Sequence, residues 1–200
     1  MKTSPTSIAL LAAGASIRFG RPKQLIQFQG RSLLRHLAEV CASSNAGDVH
    51  VVLGAYAELL KHQLHGLRLR TILNLDWNSG ISSSLRMAVK NLDRATKALL
   101  VVLCDQPLVT SALLNRMLET REKSGKPIVA CEYGNSLGVP ALFDRKFFAE
   151  IESLKGDLGA KQIILKHRRE VACVPFPEGS IDIDTPRDLP GTTHSFQEDI

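Results

Sequence analysis

Three segments of this sequence carry residue types and spacings that could do chemistry on an anion. The first is Leu11-Ala12-Ala13-Gly14-Ala15-Ser16-Ile17-Arg18-Phe19-Gly20-Arg21-Pro22-Lys23. Small residues let a backbone approach a ligand closely, and successive N–H groups in such a loop can form a concavity for phosphate oxygens. Arg18, Arg21 and Lys23 add cationic donors. Two familiar nucleotide loops are excluded by spacing. The dinucleotide fingerprint needs G-x-G-x-x-G, and position 12 is alanine; the Walker A loop needs Gly-Lys-Ser/Thr, whereas Gly20 is followed by Arg-Pro-Lys. Taken alone, the loop is either a phosphate cradle or a strand-to-helix connection with surface charges.

The second segment is Cys104-Asp105-Gln106-Pro107, which follows the most apolar run of the chain. A carboxylate there can hold Mg²⁺, a hard cation that keeps several waters and shares substrate phosphates. The alternative is a turn or helix cap, for which Thr110 is better placed. The third segment is Ile181-Asp182-Ile183-Asp184-Thr185-Pro186. Its two carboxylates alternate, so from a regular strand only one can face a ligand; a solvated turn with Asp184 or Thr185 capping a short helix at Pro186 fits equally. Three loops complete the set. Trp77–Ser84 precedes a helix bearing Arg86, and its hydroxyls and amides could read a base or ribose or only cap that helix. Asn135–Pro140 reads as a β-hairpin near the acceptor site or a structural turn, and Gly156–Lys161 as an N-cap aspartate, Asp157, that either pairs with nearby cations or only caps its helix.

These segments need elements to position them. Strands are expected at 7–11, 49–53, 67–73, 98–103, 127–131, 139–143 and 171–174. Helices are expected at 32–43 with Ser32 as N-cap, 58–64, 82–91, 110–123, 146–153 and 158–166. The run Ala98–Leu103 reads as a central parallel strand buried on both faces, and 67–73 as a strand nearer an edge. Strand alternating with helix implies an α/β fold whose ligand lies beyond the carboxyl ends of the strands. A single domain is expected over residues 1–190, followed by a polar tail at 191–200.

Composition narrows the partners. With 200 residues and 44% hydrophobic content, the chain can bury one sizeable core. A net charge of +5 suits an anionic ligand. No arginine-rich arm or aromatic-interleaved basic motif points to nucleic acid. Cys41, Cys104, Cys131 and Cys173 form no CxxC pair, which reads as a reduced protein without disulfides or structural zinc. The run Ile8–Ala13 is too short for a signal peptide or membrane span, so the cytoplasm is the expected location.

In this order, LAAGASIRFGRPKQL, NSGISSSLR, LCDQPLV, GVPALF, GDLGAK and DIDTPRDL resemble the nucleotidyltransferases that attach a nucleoside monophosphate to molybdopterin, above all the molybdenum cofactor cytidylyltransferases. The first segment is common to many sugar- and alcohol-phosphate nucleotidyltransferases; the others together are more specific. The resemblance implies a Rossmann-like three-layer α/β sandwich with a mostly parallel sheet, of the nucleotide-diphospho-sugar transferase kind. It implies a nucleotide site at Leu11, Ala12, Ala13, Gly14, Arg18, Lys23, Gly80, Ser82, Ser83, Ser84 and Asp105. It places Mg²⁺, replaceable by Mn²⁺, on Asp105 with Asp184 or Asp182, the former preferred. Lys23, Arg18 and Asp105 then carry the catalysis. Ala13 stands where users of GTP commonly carry glycine, which favours CTP. The acceptor the resemblance implies is molybdopterin cofactor, with a recipient molybdoenzyme beyond it. Phe19 stands in place of the usual methionine. Val139 replaces a common histidine and Leu158 a usual lysine, both on the acceptor side. Alternatives are another phosphate acceptor (a sugar phosphate or methylerythritol phosphate), a nicotinamide-dependent oxidoreductase, and a non-catalytic cofactor chaperone.

Overall fold

The computed structural model describes residues 4–16 and 19–181. Arg18, Asp182, Asp184 and the expected tail at 191–200 lie outside the described residues. The apolar runs become strands: β1 (Thr6–Ala12), β2 (Gln27–Phe28), β3 (Arg31–Ser32), β4 (Val49–Leu53) and β5 (Arg70–Leu73). They continue with β6 (Ala98–Leu103), β7 (Ile128–Tyr133), β8 (Ser136–Asp144) and β9 (Val171–Pro175). Seven of them form one sheet in the order β5-β4-β1-β6-β8-β7-β9, while β2 and β3 make a separate two-stranded ribbon. The pairs β5–β4, β4–β1, β1–β6 and β7–β9 are parallel.

The helices are α1 (Leu33–Ser43), α2 (Ala57–His62), α3 (Ile81–Lys90), α4 (Ser111–Ser124), α5 (Phe148–Ser153) and α6 (Ala160–Lys166). They cover both faces of the sheet. Alternate strand residues point to opposite sides: Ile8, Leu10, Val51 and Leu100 join Leu37, Leu60 and Leu114 of α1, α2 and α4. Ala9, Leu11, Val52 and Val101 join Leu85, Ile151 and Ile163 of α3, α5 and α6. This two-sided cover explains why β6 is an unbroken apolar run. Two caps act as expected: Ser32 Oγ accepts from Arg35 N at 3.3 Å, and Thr110 Oγ1 from Leu113 N at 3.2 Å. No helix among the described residues is long and apolar enough to cross a membrane.

Three local expectations change. The strands expected at 127–131 and 139–143 are longer and form a hairpin. Gly134 and Asn135 both have positive φ (53° and 58°), which suits a two-residue turn between right-twisted strands. As a result β8 runs antiparallel to both β6 and β7. β5 starts at Arg70 instead of Leu67, because pairing with the edge of β4 begins at His50–Arg70. Finally, α6 is capped by Gly159, with no side-chain bond from Asp157.

Candidate functional site

β1 and β6 lie side by side, with Leu11 opposite Leu103, so the loops after both strands open at the same edge of the sheet. β1 pairs with β4 on its other side, and the chain reaches β6 only after β5. Such a change of direction leaves a crevice at the carboxyl ends of the strands. A cleft of about 200 Å³ occupies it. A larger open groove of about 660 Å³, lined by Ser7 and Thr96 among others, contains none of the loops singled out by the sequence.

Lys23 and Asp105 meet in the cleft. Lys23 Nζ donates to Asp105 Oδ2 at 2.7 Å, and the two side chains are 19% and 23% exposed. Asp105 Oδ1 is buried and has no hydrogen-bond partner among the described residues. A carboxylate with one oxygen tied to a cation and the other unsatisfied is suited to a hard divalent ion. Among the described residues no group of three His, Cys, Asp or Glu side chains could hold a metal. An ion on Asp105 therefore needs phosphate or water oxygens, or a carboxylate outside these residues, in line with the habits of Mg²⁺.

The loop after β1 forms one wall. Leu11, Ala12, Ala13 and Gly14 line the cleft. Ala13 is 6% exposed, and its carbonyl accepts from Ala55 N at 3.0 Å. Gln24 holds this loop from beneath. It is 2% exposed, and its Nε2 donates to Ala12 O at 3.1 Å and Gly14 O at 2.7 Å. Ser16 Oγ donates to Gln24 Oε1 at 3.4 Å and accepts from Lys23 N at 3.1 Å. Arg21 instead stacks on Phe19, 5.7 Å from the ring centroid.

The opposite wall comes from Trp77, Gly80, Ile81 and Ser84. Gly54 permits the approach of Trp77: a β-carbon there would lie 2.5 Å from Trp77 Cβ and 2.7 Å from Ala13 O. Gly80 has φ +95°, and a β-carbon would sit 2.3 Å from Gly156 O. The Gly156–Gly159 turn thus braces the start of α3, and Ser82 N donates to Gly156 O at 3.2 Å. Of the three serines expected at the nucleotide, Ser84 lines the cleft, whereas Ser82 and Ser83 do not. Ser82 Oγ accepts from Arg86 at 3.1 Å, and Ser83 Oγ donates to Gly80 O at 2.8 Å. Asn74, 1% exposed, donates to Ser83 Oγ at 2.8 Å and Ser84 Oγ at 3.1 Å.

On the far side of Asp105, Gln106 is buried and donates to Val139 O at 3.1 Å. Tyr133 Oη donates to the same carbonyl at 3.0 Å, over Gly138, where a β-carbon would clash with that oxygen. Hence the DQP and GVP segments are physically joined. Gln24, Asn74, Gln106 and Gly54 did not stand out in the sequence. Gln24 had one signal: a carboxamide directly after Lys23 and before the apolar pair Leu25-Ile26.

Fold and cleft together define a Rossmann-like α/β protein with a glycine loop after β1 and a lysine–carboxylate pair bridging β1 and β6. The chain belongs to the family of MobA-like NTP transferase domains, whose pattern matches residues 8–171. Rv0371c from Mycobacterium tuberculosis H37Rv superposes with a TM-score of 0.81 at 26% identity, covering 92% of this chain and 95% of that one. That protein is also known as a complex with manganese, matched at a TM-score of 0.77 and 24% identity over 92% of this chain and 95% of that one. Molybdopterin-guanine dinucleotide biosynthesis protein A from Archaeoglobus fulgidus shares the fold at a TM-score of 0.63 and 18% identity, covering 92% and 94% of the two chains. Nicotine blue oxidoreductase of Paenarthrobacter nicotinovorans is 36% identical over 110 residues, 54% of this chain and 53% of that protein. The chain thus spans about half the length of that relative.

Proposed function

We propose that this protein is a Mg²⁺-dependent nucleotidyltransferase that moves a nucleoside monophosphate, CMP in preference to GMP, from the triphosphate to the phosphate of molybdopterin cofactor. The observation that carries this reading is the Lys23–Asp105 pair beside the loop after β1. An acceptor phosphate oxygen attacks the α-phosphorus, the bond to the β-phosphate oxygen breaks, and pyrophosphate leaves. The protein forms no covalent intermediate; its residues position the reactants and neutralise charge. Leu11–Gly14 and Lys23 hold the triphosphate with Arg18, and Gly80 and Ser84 frame the sugar and base, with Ser82 and Ser83 bracing that wall from within. Asp105, with Asp184 or Asp182, would hold the ion, which when bound polarises a phosphoryl oxygen as a Lewis acid. Ala13, standing where GTP-using relatives commonly carry glycine, supports the preference for CTP. The reading takes residues 1–190 as one catalytic domain acting in the cytoplasm.

The test is pyrophosphate release with Mg²⁺, molybdopterin cofactor and each of the four nucleoside triphosphates in turn. Fastest release with CTP is expected. No release with any of them overturns the transferase reading. A second reading follows from the relative named nicotine blue oxidoreductase: a nicotinamide-dependent oxidoreductase. The loop after β1 lacks the dinucleotide glycine spacing. Loss of reduced-nicotinamide absorbance with nicotine blue, and no pyrophosphate release, would establish this second reading.

A further inference from the structure

The buried carboxamide of Gln24 lies beneath the loop after β1, and among the described residues its backbone hydrogen bonds go to carbonyls. Carbonyl oxygens accept and cannot donate, so the NH₂ end of Gln24 must face Ala12 O and Gly14 O. A trans peptide is planar, with its N–H opposite its C=O. Drawing Ala12 O and Gly14 O inward therefore turns the N–H groups of Ala13 and Ala15 away from Gln24. Ala13 O, held by Ala55 N, fixes the intervening peptide the other way. Among the described residues the N–H groups of Ala13 and Ala15 donate no hydrogen bond. At the same time, Ser16 Oγ links Gln24 Oε1 to the backbone N–H of Lys23. One side chain thus holds both the peptide planes of the loop and the root of the cation that faces Asp105.

We propose that Gln24 is the positioning residue of the nucleotide loop: it holds the peptide planes of Ala12–Ala15 so that the outward amides are preset for phosphate oxygens before any ligand arrives. The inference rests on the nucleotide reading above, and it assigns Gln24 no contact with the substrate. Without the clamp, these peptides can flip, and binding must first select the productive arrangement. Affinity for the triphosphate falls while the fold persists.

Trp77 is the single tryptophan of the chain and lines the same cleft, so its fluorescence reports occupancy without turnover. The experiment titrates CTP and GTP, each with Mg²⁺, into wild type, Gln24→Met and Gln24→Glu. Gln24→Met keeps the buried volume without donors, and Gln24→Glu keeps the shape but sets oxygens against two carbonyls. The milder Ser16→Ala cuts the link to Lys23 in a half-buried loop and covers the case in which the Gln24 variants fail to fold. The expected result is a Kd raised at least tenfold in folded Gln24 variants and in the same direction, by less, in Ser16→Ala. A role confined to stability would lower the melting temperature and leave Kd within twofold; that result overturns the inference alone. Absence of any fluorescence change in wild type with either triphosphate overturns it together with the nucleotide reading.

Discussion

Lys23 and Asp105 illustrate what a residue can and cannot announce about itself. Each was legible as a candidate, the lysine by its place after a glycine loop and the aspartate by its place after an apolar run. Their meeting at 2.7 Å was not legible. If they act as proposed, removing either charge should raise the barrier by about 2.7–4 kcal/mol, roughly 10²–10³-fold in rate. Lys23→Ala and Asp105→Asn should show this loss in pyrophosphate release while keeping the wild-type circular dichroism. Near wild-type turnover in both would end the mechanism. Ser82 and Ser83 teach the opposite lesson. Their hydroxyls suited a ligand on paper, yet both serve the protein's own framework. Ser83→Ala should therefore act on stability more than on nucleotide affinity, measured by urea unfolding beside a nucleotide titration.

At the scale of elements, the start of α3 holds the most constrained backbone of the site. Gly80 combines a φ of +95° with a β-carbon position 2.3 Å from a backbone oxygen. Gly80→Ala must strain this residue and shift the Gly156 turn, costing about 1–3 kcal/mol by the strain alone. A lower unfolding midpoint together with weakened nucleotide binding is expected; an unchanged midpoint would show that the two turns are not tightly coupled. Asn74 is the buried post on which Ser83 and Ser84 hang. Its removal takes one donor from each hydroxyl, and a buried polar group that loses its partner typically costs about 1–3 kcal/mol. Most elements were readable because caps, apolar runs and helical spacing are local. The hairpin of β7 and β8 was half-readable: its turn residues are local signals, but the direction of β8 depends on which strand it joins.

The whole molecule adds a pH dependence. His50 on β4 is 1% exposed, and neither ring nitrogen has a hydrogen-bond partner among the described residues. Burial pushes its pKa down, aided by Arg70 and opposed by Asp48 and Asp93. His36 shifts the same way, chiefly through burial, although its contact with Pro107 O pulls against this. The folded state therefore favours neutral imidazole, and the unfolded chain binds more protons. The stability from this source is complete above the ordinary value of 6.5 and is lost as the pH falls below it. Thermal unfolding across that value should show the decline, and His50→Leu should flatten it. An equally steep decline in that variant would place the dependence elsewhere.

What the sequence determined by itself were local things: an alternating α/β chain, the caps at Ser32 and Thr110, and a loop after β1 that excludes two other nucleotide motifs. Propensity, periodicity and glycine spacing act over a few residues and can be read there. Tertiary structure decided which groups meet. It brought Lys23 to Asp105, turned Ser82 and Ser83 inward, reversed β8, and set Gln24 beneath the loop as its clamp. The physical reason is that a polar side chain's identity fixes what it can donate or accept, whereas its partner is fixed only when distant strands are laid side by side and burial forces each donor to find an acceptor.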